Sequence, residues 1–293
     1  MNYSVDVLCG LFGKTRQAYY KKDNEVIKEL VNNDLILTLV KEVRIKQKKL
    51  GGRKLLLKVI NKLPQSQYIG RDAFFNLLRE NNMLVRKRKT RVITTDSYHW
   101  LHKYPNLIKE LVPIKPNILW VSDITYIWVG DEFMYLFLVT DAYSRKIIGW
   151  KLSETMEADN GLKALYMAIS QLPAENKDLI HHSDRGVQYC SSKYVKCLQK
   201  HDIQISMTES GDPRENAIAE RVNGILKVEW LYDMELKDKE EAVKAVGSII
   251  DIYNTERPHL SVGMLTPDEA HQRTGELKKY WKTYKRKMKG ELK

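Results

Sequence analysis

Three carboxylates stand where ordinary surface charge does not explain them: Asp123 at the end of a strand-like run, Asp184 inside H-H-S-D-R-G, and Glu220 inside N-A-I-A-E-R-V-N. Asp123 interrupts an apolar stretch from Ile118 to Val129, and burying an unpaired carboxylate there costs on the order of several kcal/mol. A metal ion or a hydrogen-bonded network must compensate. Asp184 closes a short strand, and Gly186 behind it permits a sharp turn. Glu220, Asn223 and Lys227 fall at i, i+3 and i+7, one polar face of a helix whose other face carries Ile218, Val222 and Ile225. Alone, Glu220 reads as a solvated helix residue; with the two aspartates it reads as a ligand. Oxygen donors without cysteine partners suit Mg2+ or Mn2+, and two such ions about 4 Å apart would clamp a phosphodiester. Lys227 would contact a nearby phosphate, and Gly224 removes bulk beside Glu220. His181, His182 and Arg185 could place substrate, although histidines beside such a site are as often simply packed.

The elements that must position these groups follow from periodicity. W-V-S-D-I-T-Y-I-W-V, M-Y-L-F-L-V-T-D and R-K-I-I-G-W-K-L read as three successive strands, rich in β-branched and aromatic residues and separated by turns. A helix from Glu157 to Gln171, a strand D-L-I-H-H-S, a helix over 192–201 and a strand I-Q-I-S-M follow. The helix bearing Glu220 is expected to start at Asp212-Pro213, with Asp212 as N-cap and Glu215 completing a capping box. The sum is a mixed five-stranded sheet with helices on both faces, an α/β domain over residues 115–275. The three carboxylates then occupy two strand ends and one helix face. Asp141, on the next strand, reads equally as support for the site or as a turn aspartate.

Residues before this domain are helical and basic. A short helix-turn-helix segment is expected over 1–32, pivoting at Gly13 and presenting Lys14 and Arg16; an amphipathic helical pair with a basic face is the plainer alternative. Residues 33–90 read as a helical, helix-turn-helix-like DNA-binding domain with Leu35, Leu39 and Val43, then Leu55, Leu56, Val59 and Ile60, on buried faces. Arg53, Lys54, Arg86 and Arg88 are its candidate DNA contacts. Residues 91–114 read as a linker and 276–293 as a basic tail.

The net charge of +12 is unevenly divided. Residues 1–115 hold 24 Lys+Arg against 10 Asp+Glu, residues 116–276 hold 17 against 26, and the last 17 residues hold 8 against 1. Positive flanks around a mildly acidic middle suit a protein that grips phosphates with its ends and does metal chemistry in its centre. No apolar run approaches the roughly 18 residues a bilayer requires, so a cytoplasmic protein without membrane contact is expected. Cys9, Cys190 and Cys197 form no paired framework and read as buried free thiols. Gly13-Lys14-Thr15 lacks the earlier glycine of a phosphate-binding loop, which excludes that nucleotide site.

The ordered motifs W-x-x-D-I-T-Y (120–126), L-V-T-D-A-Y-S-R-K-I-I-G-W (138–150) and H-S-D-R-G-x-Q-Y (182–189) resemble those of insertion-sequence transposases of the IS-three group, OrfB type. So do S-M-T-x-S-G-D-P-R-E-N-A-I-A-E (206–220), Y-N-x-x-R-P-H (253–259) and T-P-D-E-A (266–270). The resemblance spans nearly the whole chain. It implies an RNase H-like, retroviral-integrase-like core in which Asp123, Asp184 and Glu220 form the catalytic triad, 35 residues separating the last two. It further implies Mg2+, cleavage at element ends by water and attack of the freed 3′-hydroxyl on another strand. The partners implied are terminal inverted repeats and target DNA, other copies of the chain on paired ends, and an upstream OrfA-type product or frameshift fusion. An integrase-like nuclease of another lineage is the first rival, but His99 and His102 lack the C-x-x-C of a zinc module. A DNA-binding protein with an idle core is the second; it would be expected to have lost a carboxylate, and all three are present.

Overall fold

The computed structural model describes residues 4–85, 100–173, 178–209 and 213–280. The chain divides into two compact units, residues 1–87 and 88–293.

In the first unit, α1 (Val5–Leu11) is capped by Ser4, and after a turn at Gly13 (φ +62°) α2 (Arg16–Lys46) begins with Thr15 accepting from the Ala18 amide. The boundary expected at residue 32 falls inside α2, which runs 31 residues without a break. The polar triplet Asn32-Asn33-Asp34, which looks like an interruption, is accommodated on a continuous helix. The second half of α2 packs with α3 (Gly52–Ile60) and α4 (Arg71–Glu80) around Ile36, Val40, Val43, Leu55, Val59, Phe74 and Leu78. The buried stripe of α2 is thus shifted one residue from the expected Leu35 and Leu39; Leu35 faces solvent and Leu39 is half-buried.

The second unit is built on a five-stranded sheet: β1 (Leu119–Val129), β2 (Glu132–Asp141), β3 (Ile147–Ser153), β4 (Ile180–Ser183) and β5 (Gln204–Met207). The order is β3-β2-β1-β4-β5, with β1, β2 and β3 antiparallel and β4 and β5 added parallel to β1. Three strands joined by turns and two reached through helical crossovers produce that mixture. The helices are α5 (Ala158–Ile169), α6 (Val187–Cys190), α7 (Ser192–Lys200), α8 (Ala217–Glu229), α9 (Lys239–Thr255) and α10 (Pro267–His271). One sheet face packs α5 and α7 through Trp120, Phe137, Val139, Leu165, Tyr194 and Leu198. The opposite face packs α8 and α9 through Ile127, Leu136, Leu138, Val222, Leu226 and Ile250. Period-two alternation along β1 divides its residues between these two cores. On β3, a Cβ at Gly149 would stand 2.1 Å from the Ala164 carbonyl oxygen, so glycine lets α5 lie directly on the strand.

Two further expectations are corrected. Part of the presumed linker, residues 101–111, docks on the sheet: Leu101 and Tyr104 join the α5 core, and Leu107 donates its amide to Ser206 Oγ at 2.9 Å. Proline hides the apolar pattern by blocking regular elements, yet Pro105 still accepts from the Met207 amide. The Glu220 helix begins at Ala217 after a 3-10 turn, Pro213–Asn216; Asp212 lies outside the described residues, and Glu215 accepts from the Glu209 amide at 2.7 Å. None of the described helices is long and apolar enough to cross a membrane.

Candidate active site

Asp123 lies in the middle of β1, not at its end. What ends beside it is β4. Val121 pairs with His182 in the parallel register, so two residues onward Asp184 stands next to Asp123, just past the last residue of β4. Adjacent strands lie about 4.8 Å apart, which brings the two carboxylates together on one side. Gly186 shapes the turn that follows, and its amide donates to Asp184 Oδ1 at 3.0 Å.

The Asp123 carboxylate is held from both sides. Asn223 Nδ2 on α8 donates to Oδ2 at 2.7 Å and the Ile124 amide to Oδ1 at 2.9 Å. Part of its surface still meets solvent, but it sits deep among protein atoms. Burial first, then the charge of Asp184, raises its pKa to about 7, with Glu220 adding a smaller push; Asn223 and Ile124 oppose the rise. Glu220 itself is on the exposed side of α8. Among the described residues no three His, Cys, Asp or Glu side chains converge closely enough to enclose an ion. Asp123 and Asp184 nevertheless fit a divalent cation: the donors are all oxygen, and a cation between them would relieve the repulsion that drives Asp123 upward.

Asn216 carries the start of α8 to the same strand. Its Nδ2 donates to the Ser122 carbonyl at 3.0 Å, fixing the helix on β1 one residue from Asp123. Lys227, seven residues after Glu220, is half-buried with its Nζ 4.1 Å from the centre of the Tyr126 ring. Burial lowers its pKa, partly countered by Asp123. Asn216 and Tyr126 are the site residues that sequence reasoning passed over. Three residues beyond Asp123, period two turns Tyr126 to the opposite face of the strand, and only the reach of Lys227 from α8 ties it to the site.

Other expected site residues separate clearly. Asn223 is buried and bonded to Asp123, which makes it a support for that carboxylate. Both histidines are buried: His181 Nε2 lies 2.8 Å from Ser122 Oγ and 3.0 Å from Tyr194 Oη, and His182 Nδ1 lies 2.9 Å from Ser206 Oγ. Burial drops their pKa values to about 3 and about 4, so they are neutral packing groups. Arg185 is half-buried beside Asp184 in sequence. In the first unit Lys14, Arg16 and Arg53 are exposed, but Lys54 is only 9% exposed on the inner side of α3, a correction to its expected role. Its helical phase, shared with Leu55, outweighs its charge. Arg86 and Arg88 lie outside the described residues. Cys9, Cys190 and Cys197 are buried and free, and burial pushes the Cys190 thiol up to about 11.

Asp141 is a turn aspartate. It accepts from the Asn117 amide at 2.8 Å and from the Ser144 amide and hydroxyl, both at 2.7 Å. The segment from Tyr253 to His259 packs behind the site. Asn254 exchanges two hydrogen bonds with the Ile147 backbone as a strand neighbour would, and Arg257, 1% exposed, forms a bidentate pair with Glu229 at the end of α8.

Two family models, both described as integrase core domain, match residues 113–213 and 201–267. The 31 kDa protein of insertion element IS600 from Shigella sonnei is 31% identical over 264 residues, 89% of this chain and 96% of that protein. The transposase for insertion sequence element IS629 from the same species is 31% identical over 186 residues, covering 63% of this chain and 62% of its own length. Transposase InsF for insertion sequence IS3A of Escherichia coli K12 is 33% identical over 189 residues, 63% of this chain and 65% of that protein. The chain therefore spans nearly all of the first relative and a little under two thirds of the other two.

Proposed function

This chain belongs to the insertion-sequence transposases built on an integrase core domain, and we propose from that premise that it cuts and joins DNA at the triad Asp123, Asp184 and Glu220. The observation that carries the reading is the Asp123–Asp184 pair on neighbouring parallel strands, with the Asp123 carboxyl pushed to about 7 by burial and by its partner's charge. Such a pair is costly without a cation and apt for one.

Two Mg2+ ions held by the aspartates and Glu220 would supply an activated attacking oxygen and a stabilised leaving oxygen for in-line displacement. The chain's own part is positioning. Asn223 and the Ile124 amide fix both oxygens of Asp123, Asn216 ties α8 to β1, and α8 thereby presents Glu220 and Lys227 on the same side as the aspartates. Lys227 meets a phosphate oxygen of the strand being cut. Water attacks first, freeing a 3′-hydroxyl and leaving a 5′-phosphate; that hydroxyl then attacks a phosphodiester of a second strand and displaces its 3′-oxygen, one phosphodiester forming as one breaks. The basic first unit grips the element's terminal repeats through Lys14, Arg16 and Arg53, and paired ends require more than one copy of the chain. Fusion to an upstream product remains part of the proposal for the natural enzyme.

A supercoiled plasmid carrying the element's two ends, incubated with the protein and Mg2+, tests this. Nicked, linear and joined products are expected from the parent protein and a loss of at least 100-fold from Glu220→Gln. Cleavage retained by that variant would remove Glu220 from the mechanism.

A further inference from the structure

Beyond Asp123, β1 carries an aromatic cluster that the triad chemistry leaves unused. Trp128 and Phe133 face each other across the β1–β2 pair, their ring centroids 3.8 Å apart and their planes tilted by 31°. Phe133 also meets Tyr126 edge-on at 4.9 Å. Trp128 is 59% and Phe133 41% exposed. The hairpin that displays them is fixed in place, since the Gly130 amide donates to the Leu236 carbonyl at 2.7 Å in a turn where Gly130 has φ +57°. A rigid cluster of large apolar rings facing solvent is costly unless something else covers it.

Charge points to the occupant. Lys227 places its ammonium 4.1 Å from the Tyr126 ring centre, and the same ammonium feels the Asp123 carboxylate. Period two turns the rings to the strand face opposite the Asp123 side chain, and Lys227, reaching the Tyr126 ring from α8, is the cation that links the two. A strand-tracking cation beside flat aromatic faces is the pattern of surfaces that stack unpaired bases. A protein partner would take the apolar rings without requiring the ammonium beside the carboxylates.

We propose that Tyr126, Trp128 and Phe133 form a shelf on which a base unpaired within a few nucleotides of the scissile phosphate stacks, with Trp128 offering the open face. The inference rests on the strand-transfer reading. It adds that the duplex is opened locally at the site and that the displaced base is retained by stacking, which is insensitive to base identity because every base has a π-face.

The probe is a duplex of the element's terminal sequence with three unpaired nucleotides at one end, the first of them 2-aminopurine, compared with the fully paired duplex of the same sequence. Binding to the full chain is measured without added divalent metal, so nothing turns over. Stacking quenches the aminopurine; the parent protein is expected to quench it. Trp128→Ala should lose the quenching and bind the unpaired-end DNA about ten-fold more weakly, leaving the paired duplex unaffected. Trp128→Phe should restore most of both. Bright aminopurine in the parent complex would overturn the shelf, as would equal weakening of both DNAs by Trp128→Ala. So would a drop in molar mass by light scattering in Trp128→Ala with its preference for unpaired ends intact, which would make the patch a contact between copies. Plasmid cleavage in Mg2+ without quenching overturns the shelf alone; absence of both overturns the strand-transfer reading as well.

Discussion

The Arg257–Glu229 pair offers a sharp test of how α8 is held. Arg257 Nε and Nη2 donate to the two oxygens of Glu229 at 2.8 and 2.6 Å, Nη1 lies 2.7 Å from His259 Nε2, and the guanidinium sits 5.8 Å from the Tyr253 ring centre. The Arg257 side chain is 1% and the Glu229 side chain 11% exposed. Arg257→Met keeps most of the volume but takes the guanidinium from a buried carboxylate at the C-terminal end of α8, the helix that carries Glu220, Asn223 and Lys227. Breaking one side of a buried pair costs about 3–5 kcal/mol, whereas replacing both sides with apolar residues of similar volume is often close to neutral. For a unit of this size each kcal/mol corresponds to about 2–4 °C in Tm, so Arg257→Met should melt roughly 10 °C below the parent. The double variant Arg257→Met/Glu229→Met should recover at least half of that. Urea unfolding followed by tryptophan fluorescence, repeated by calorimetry, measures both. A single-variant loss under about 1 kcal/mol, or a double variant as unstable as the sum of the singles, would refute the picture of a desolvated, mutually dependent pair.

Three shorter predictions follow from other parts of the chain. His181 and His182 have folded pKa values of about 3 and about 4, below the unfolded value of about 6.5, so the unfolded chain binds protons that the folded chain excludes. The rings' contribution is therefore full above about pH 7 and declines as pH falls through 6.5, each ring costing about 1.4 kcal/mol at pH 5.5; measured in Asp123→Asn, which removes the opposing gain from the carboxyl raised to about 7, a flat urea midpoint between pH 7.5 and 5.5 would contradict the burial argument. At Gly224 a Cβ meets no atom of the chain within 4 Å, so Gly224→Ala should stabilise α8 by about 1 kcal/mol in urea while reducing strand transfer several-fold by crowding the DNA beside Glu220. Unchanged plasmid joining by this variant would remove the close approach. Arg53→Ala should weaken DNA binding and lower the salt slope by about one, whereas Lys54→Met should leave the slope unchanged; equal effects in a salt titration would reverse the assignment of the two side chains.

The sequence by itself determined the class of element for the five strands and for α5, α7 and α8, because strand alternation and helical spacing are local properties of the chain; α6, α9 and α10 went unread. It also drew attention to Asp123, since a charge inside an apolar strand is conspicuous without any structure. Tertiary structure decided which polar residues face inward. Asn223 and Asp123 are 100 residues apart and meet only because α8 crosses β1; nothing in the local pattern distinguishes that partner from a phosphate. Lys54 and Arg53 are neighbours of the same charge, yet one helical step of about 100° buries the first and exposes the second. The motif from Tyr253 to His259, whose residue types suit packing and DNA contact equally, closes on Glu229 and the Ile147 backbone. Asp123 proved to be mid-strand, and it becomes a candidate site position because β4 stops beside it, a fact set by how long two distant segments remain paired. Residue type carries the chemistry a side chain can do; the partner it does it with is a long-range outcome of packing.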